Sequence, residues 1–165
     1  MSTILIAYFT WSGNSKRLAA YLQTLTGGRV FRIETREPYP RFYQMAMSRA
    51  AKEKHRDSRP ELTALPEGLD GCGTVYLVYP NWWNSVPMAV CSFLESVPLE
   101  GKRLRPLCTS GGSGIECSVS KIRQLCPKAE VENGLLVLDG TLDDTDVRER
   151  IEAWVNQTEK TEKNC

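Results

Sequence analysis

Apolar side chains in this chain fall into short dense blocks, each followed by a longer stretch with helical rhythm, and the two alternate along its length. Ile4 to Phe9 is an unbroken apolar run, as a strand buried on both faces requires. Behind it Leu18, Leu22 and Leu25 recur at helical spacing, so a helix opens near Ser15 and stops at Thr26-Gly27-Gly28. Val30 to Ile33 predicts a shorter second strand. Glu37-Pro38-Tyr39-Pro40 then breaks the rhythm, and a helix follows from Arg41 to about Arg56, with Phe42, Ala46 and Ala50 on one face. Thr74 to Tyr79 is a third strand. Pro87 opens a helix that buries Val90, Phe93, Leu94 and Val97. Leu104 to Cys108 is a fourth strand, although Pro106 has no N–H to give a ladder. A bulge is expected there, or pairing that begins beyond it. Ser118, Ile122, Leu125 and Cys126 mark a fourth helix, and Leu135 to Leu138 a fifth strand. Val147, Ile151, Trp154 and Val155 form the buried face of a last helix, with Asp143, Asp144 and Asp146 at its N-terminal end. After Asn156 the chain turns polar, and an exposed, mobile Cys165 is expected.

Five strands alternating with helices predict an α/β domain over residues 1–157, a doubly wound parallel sheet with helices on both faces. Residues 158–165 read as a polar tail, and the stretch of about 36–70 as an insertion after the second strand. Ligands of such sheets sit outside the carboxyl ends of the strands, at the switch point. The loops after strands one, three and four should therefore carry unusual residues.

The first of them, Thr10-Trp11-Ser12-Gly13-Asn14-Ser15, puts several hydroxyls at the start of a helix, where free N–H groups and the positive dipole end favour a phosphate. Its spacing is neither Walker A nor Gly-x-Gly-x-x-Gly. A plain N-cap by Ser12 or Asn14 would explain the same loop without a ligand. The loop after strand three, Pro80-Asn81-Trp82-Trp83-Asn84, holds two adjacent tryptophans that a planar ligand would engage. The alternative is one ring in the core and the other as its lid. After strand four, Thr109-Ser110-Gly111-Gly112-Ser113-Gly114 is backbone that can approach a flat ring and offer N–H groups. FMN needs all three features: a cradle for its phosphate, an aromatic face, and partners for polar ring edges.

The totals narrow the classes. With 21 basic and 20 acidic side chains in 165 residues, the net charge is +1, so no general field for nucleic acid or anionic membrane exists. No apolar run reaches the length of a membrane span, and Ile4 to Phe9 is too short for a signal peptide. A cytoplasmic protein is expected, with its six cysteines reduced and mostly core. His55, the single histidine, has no cluster to join and reads as a solvated helix residue rather than a metal ligand.

Tyr8-Phe9-Thr10-x-Ser12-Gly13-Asn14-Ser15, Tyr39-Pro40-x-x-Tyr43, Tyr79-Pro80-x-Trp82-Trp83 and Thr109 to Gly114 together resemble the flavodoxin family. The match is strongest with its members that carry Y-P-x-W-W and T-S-G-G-S-G loops, and it runs from Ile4 to about Val155. The resemblance implies strand order 2-1-3-4-5 and noncovalent FMN. It implies a phosphate held by Thr10, Ser12, Gly13, Asn14 and Ser15. Pro80, Trp82, Trp83 and Asn84 would then line one side of the flavin ring, and Thr109 to Gly114 the other. Asn84 departs from the glycine usual in this group. The family turns a backbone carbonyl toward the reduced flavin in this loop, so asparagine there predicts a smaller preference for the one-electron state. The function implied is electron transfer through FMN, with a redox partner protein or a small molecule as donor or acceptor. The alternative is an NAD(P)H-dependent quinone or flavin reductase. Near-neutral charge favours it, as does the Tyr39–Pro66 segment, which could roof the flavin with Tyr39 or Tyr43 near the ring. No separate nicotinamide or adenine signature is present. A phosphoacceptor receiver would need acidic residues after strands one and three, where this chain has Phe9-Thr10 and Tyr79-Pro80.

Overall fold

The computed structural model describes residues 3–162, with side chains described through Gln157. The chain runs β1 (Thr3–Tyr8), α1 (Asn14–Thr26), β2 (Arg29–Arg32), α2 (Tyr43–His55), β3 (Cys72–Pro80), α3 (Met88–Ser96) and β4 (Arg103–Ser110). It continues through α4 (Glu116–Leu125), β5 (Glu130–Val131), β6 (Leu135–Leu138) and α5 (Thr145–Glu162). All pairings are parallel, in the order β2-β1-β3-β4, with β5 and β6 in turn along the outer edge of β4. This is the doubly wound 2-1-3-4-5 arrangement with one strand more than the apolar pattern predicts.

Strand alternation sorts the core into two layers. Leu5, Ala7, Phe9, Val75, Leu77, Tyr79 and Cys108 pack on one face of the sheet, with residues of α2, α3 and α4. Ile6, Tyr8, Tyr76, Val78 and Leu107 pack on the other, with α1 and α5. The α1 helix stops where predicted: Gly27 adopts φ +68° and its N–H donates to Gln23 O at 2.9 Å. The α5 helix continues past Asn156 to Glu162. The predicted 36–70 insertion contains α2, and Thr35 bridges to Leu62 across it. Cys72, Cys91, Cys108 and Cys126 are buried free thiols and Cys117 is exposed. Cys165 lies outside the described residues.

The extra strand has a local cause at Pro106. Toward β3 the ladder is continuous, with Pro106 opposite Leu77. On the outer side, Leu104 O accepts from Glu132 N at 3.0 Å and Ser110 O accepts from Asp139 N at 2.9 Å. Pro106 shares their parity, so its missing N–H also faces outward. There the edge strand breaks, with β5 ending at Val131 and β6 starting at Leu135. Gly134 fills the gap at φ +76°, so close that a Cβ on it would lie 2.6 Å from Pro106 O. A side chain at this position meets both a strained backbone and a clash. Gly134→Ala should therefore lower unfolding free energy by about 2–4 kcal/mol. Urea melts check this, and a loss below about 0.5 kcal/mol would mean the edge does not close on Pro106 as described.

Candidate functional site

The loops leaving β1, β3 and β4 meet at the carboxyl rim of the sheet. In the first, Gly13 N–H donates to Thr10 Oγ1 at 2.9 Å, and Gly13 takes φ +101° to enter α1. No side chain caps α1, and its first turn has no acidic residue. Ser12 Oγ accepts only a long 3.5 Å bond from Asn14 N–H, so the next N–H groups of the helix start open rather than closed by a full N-cap. Asn14 turns aside, its Nδ2 donating to Asp139 Oδ1 at 3.2 Å, which ties α1 to the loop after β6. Ser15 is 1% exposed and its hydroxyl has no partner. A hydroxyl buried unpaired costs about 1–3 kcal/mol, so an acceptor or donor arriving from outside the chain would be favoured there.

The second loop doubles back on itself. Trp82 and Ser85 exchange both backbone hydrogen bonds at 3.1 Å, around Trp83 at φ +54° and Asn84 at φ +56°. Two successive positive φ values make this a type I′ turn, whose central positions favour glycine and asparagine. Asn84 suits its place. Trp83 does not, since a left-handed residue with a Cβ costs roughly 1–2 kcal/mol. Three contacts hold the turn: Trp83 Nε1 donates to Met47 O at 3.0 Å, the Lys54 ammonium donates to Trp83 O, and Asn84 Nδ2 donates to Cys117 Sγ at 3.3 Å. The paired tryptophans part company here. Trp82 is 7% exposed and packs edge-on against Phe9 and Tyr39, at 5.2 and 5.1 Å between ring centres. Trp83 is 52% exposed at the rim.

The third loop is stitched to the second by Asn81. Its N–H donates to Thr109 O at 2.7 Å and its Nδ2 donates to Gly114 O at 3.0 Å, while its Oδ1 is buried without a partner. Pro80 ends β3 opposite Thr109. Thr109 and Ser110 are buried, Ser110 Oγ accepts from Gly112 N at 3.1 Å, and Gly111 to Gly114 lie exposed. Beneath them burial pushes the Cys108 thiol up to about 12, so it stays protonated and inert.

One wall of the site is the irregular stretch opened by Glu37-Pro38-Tyr39-Pro40, which runs on past Arg41 because α2 starts only at Tyr43. Residues 38–43 run from β2 toward α2 and lock onto the first loop. Trp11 Nε1 donates to Pro40 O at 2.9 Å, and the Trp11 ring meets Tyr43 at 5.9 Å. Tyr39 sits under this wall. Its hydroxyl donates to Glu53 Oε2 at 2.6 Å and the Arg49 guanidinium lies 4.2 Å above its ring. Burial, and then the Glu53 contact, hold its pKa far above the ordinary tyrosine value, so it acts as a neutral hydrogen-bond donor. Tyr43 is the exposed tyrosine of the pair. A cavity of about 590 Å³ opens on the β2 side of the first loop, lined by Trp11, Arg32, Tyr39 and Arg41 among others.

Comparison with known families settles the relationship. The flavodoxin family model matches residues 3–158. The chain belongs to the flavodoxin family. A search of curated proteins found no match. Among solved structures, a protein of Bacteroides eggerthii DSM 20697, assigned provisionally as a flavoprotein, is 31% identical over 94% of this chain and 97% of its own, with a TM-score of 0.82. A Lactobacillus acidophilus NCFM flavoprotein in complex with FMN is similar at 16% identity, over 90% and 98% of the two chains, with a TM-score of 0.71. A Fusobacterium nucleatum flavodoxin bound to FMN shares 14% identity over 98% and 99%, with a TM-score of 0.60. Within this flavodoxin-family fold the left-handed turn makes a direct test. Asn84→Val should destabilise by about 1–2 kcal/mol, whereas Asn84→Gly should change stability by less than about 0.5 kcal/mol. Urea melts of the two variants check it. Equal effects would show that position 84 does not need a left-handed backbone.

Proposed function

We propose that this chain binds FMN noncovalently and carries electrons through it, exchanging them with a redox partner. The observation that carries this reading is the buried, unpartnered Ser15 hydroxyl at the start of an uncapped helix. Open N–H groups, a positive dipole end and a free hydroxyl suit a phosphate dianion. Thr10, Ser12, Gly13 and Asn14 complete that cradle. Trp83, Asn84 and Pro80 with Asn81 would border one side of the ring, Thr109 to Gly114 the other, and Trp11 and Trp82 would support the loops from behind. The orphan Asn81 Oδ1 would suit the imide N–H that the flavin ring carries. The Lactobacillus and Fusobacterium proteins hold FMN on this fold, which supports the same cofactor here.

The flavin supplies the redox chemistry, and the chain binds, orients and shields it. An electron carrier needs one flavin edge within reach of another molecule. The half-exposed Trp83 and the exposed Gly111–Gly114 backbone leave the rim open in that way. The second reading, an NAD(P)H-dependent quinone or FMN oxidoreductase, draws on the 590 Å³ cavity beside the first loop. Arg41 there is a cation that a nucleotide phosphate would attract, whereas Arg32 is paired with Glu34 at 3.2 Å. Cytoplasmic residence belongs to the same proposal, in keeping with the free thiols. Among the described residues, no helix is long and apolar enough to cross a membrane.

Two measurements test the proposal. Calorimetric titration should show Ser15→Ala losing about 10- to 100-fold in FMN affinity, as for a hydrogen bond to a charged group, with riboflavin affinity nearly unchanged. Equal losses for both ligands would place the phosphate elsewhere. The FMN-loaded chain should oxidise NADH and NADPH slowly with quinone acceptors, and rapid turnover would favour the reductase.

A further inference from the structure

The exposed apolar side chains of the molecule are not scattered. Phe42 is 75% exposed, Tyr43 64%, Met45 57% and Trp83 52%. Of the six large exposed hydrophobics among the described residues, Phe42, Tyr43 and Met45 gather at the start of α2, and Trp83 lies along the flank of the helix, hydrogen-bonded to Met47 O and Lys54. Contiguous aromatic and methionine surface of this kind marks interaction sites, with arginine commonly at the same interfaces.

The charge along it is mostly of one sign, with exposed Glu37 3.9 Å from Arg49 and Asp57 just past the helix as the exceptions. From Arg41 to Arg56 the chain carries five basic side chains and one carboxylate, that of Glu53. Glu53 is spent internally, on Arg49 at 2.9 Å and on the Tyr39 hydroxyl. Lys54 is held by Trp83 O. Arg41, Lys52 and Arg56 are exposed, and among the described residues no ion pair involves them. Met45, Ser48, Lys52 and Arg56 recur at i, i+3, i+7 and i+11, so one solvent-facing stripe of α2 joins the apolar end to the cations. A groove beside it is lined by Pro40, Met45, Ser48, Arg49 and Lys52.

We propose that the exposed side of α2, with Phe42, Tyr43 and Met45 at its start and Trp83 along its flank, is the docking surface for an acidic redox protein. The proposal rests on the electron-carrier reading, because the surface adjoins the rim that would hold the flavin. A second copy of the chain is disfavoured, since two such faces would bring like charges together. An anionic bilayer fits less well. The apolar residues occupy one end of the helix and the adjoining turn, whereas a membrane-surface helix carries an apolar stripe along its length.

The test is a titration of the isotope-labelled, FMN-loaded chain, followed by amide chemical shifts. The probes are an acidic [2Fe–2S] ferredoxin, the basic protein cytochrome c, and vesicles of anionic phospholipid. The ferredoxin should perturb amides of Arg41–Arg56 and the Trp83 indole N–H. Its affinity should fall at least about tenfold between about 20 and 200 mM salt, because screening shortens the reach of exposed charges. Arg41→Glu with Lys52→Glu and Arg56→Glu should abolish that binding. Phe42→Ser should weaken it several-fold while leaving its salt dependence unchanged. Phe42 is the N-cap of α2, where serine is favoured, so lost binding in that variant would not reflect a lost helix. Ferredoxin contacts elsewhere, equal binding of cytochrome c, unaltered binding by the charge-reversed variant, or binding to vesicles alone would each overturn the proposal. FMN affinity is measured separately by flavin fluorescence. A chain that fails to bind FMN refutes the electron-carrier reading, whereas one that keeps FMN but ignores ferredoxin refutes the docking surface alone.

Discussion

Three rings from distant parts of the chain fix the geometry of the rim. Phe9 at the end of β1, Tyr39 after β2 and Trp82 after β3 pack edge to face, with ring centres 5.1 to 5.7 Å apart. Each such pair contributes about 0.5–1.5 kcal/mol beyond the area it buries. Their larger effect is positional. Once Tyr39 is anchored, the residues leading to α2 lie across the first loop, and Trp11 can reach Pro40. Once Trp82 is buried, its neighbour takes the outer corner of the tight turn between Trp82 and Ser85 and is left half-exposed. The tight turn then needs two left-handed residues, which places Trp83 in a conformation that tryptophan resists. The strain is offset by Met47 and Lys54 from α2, so turn and helix depend on each other.

Much of this was legible beforehand. The apolar blocks mark every strand except Glu130–Val131, two residues too short to show any period. That the loops after β1, β3 and β4 would share one rim was legible because in a doubly wound parallel sheet all three leave at the carboxyl ends of the strands. What stayed hidden depends on tertiary contacts. Pro106 announced an irregularity, but which neighbour would lose the hydrogen bond depends on the parity of β4. The two tryptophans were identical as letters, and their contacts with Phe9 and Tyr39 decide which one is core. The orphan hydroxyl of Ser15 cannot be seen in a sequence, where every serine has the same hydroxyl.

Charge shows the same limit of averages. A net charge of +1 describes the whole chain, yet the Arg41–Arg56 segment is strongly basic and the remainder is slightly acidic. Potential at a docking face follows the local arrangement, and steering acts over about a Debye length. Whole-chain neutrality therefore says little about which partner this rim would attract.

The central claim is that a phosphate dianion sits at the start of α1, and the phosphorus resonance of bound FMN tests it most directly. A phosphate monoester in water takes up a proton near pH 6. Held by helix N–H groups and hydroxyls, the dianion should resist protonation, since hydrogen bonds to the charged form lower its pKa. The account predicts a single bound resonance that stays constant between about pH 5.5 and 8. A bound resonance that titrates near pH 6, as the free nucleotide does, would contradict it.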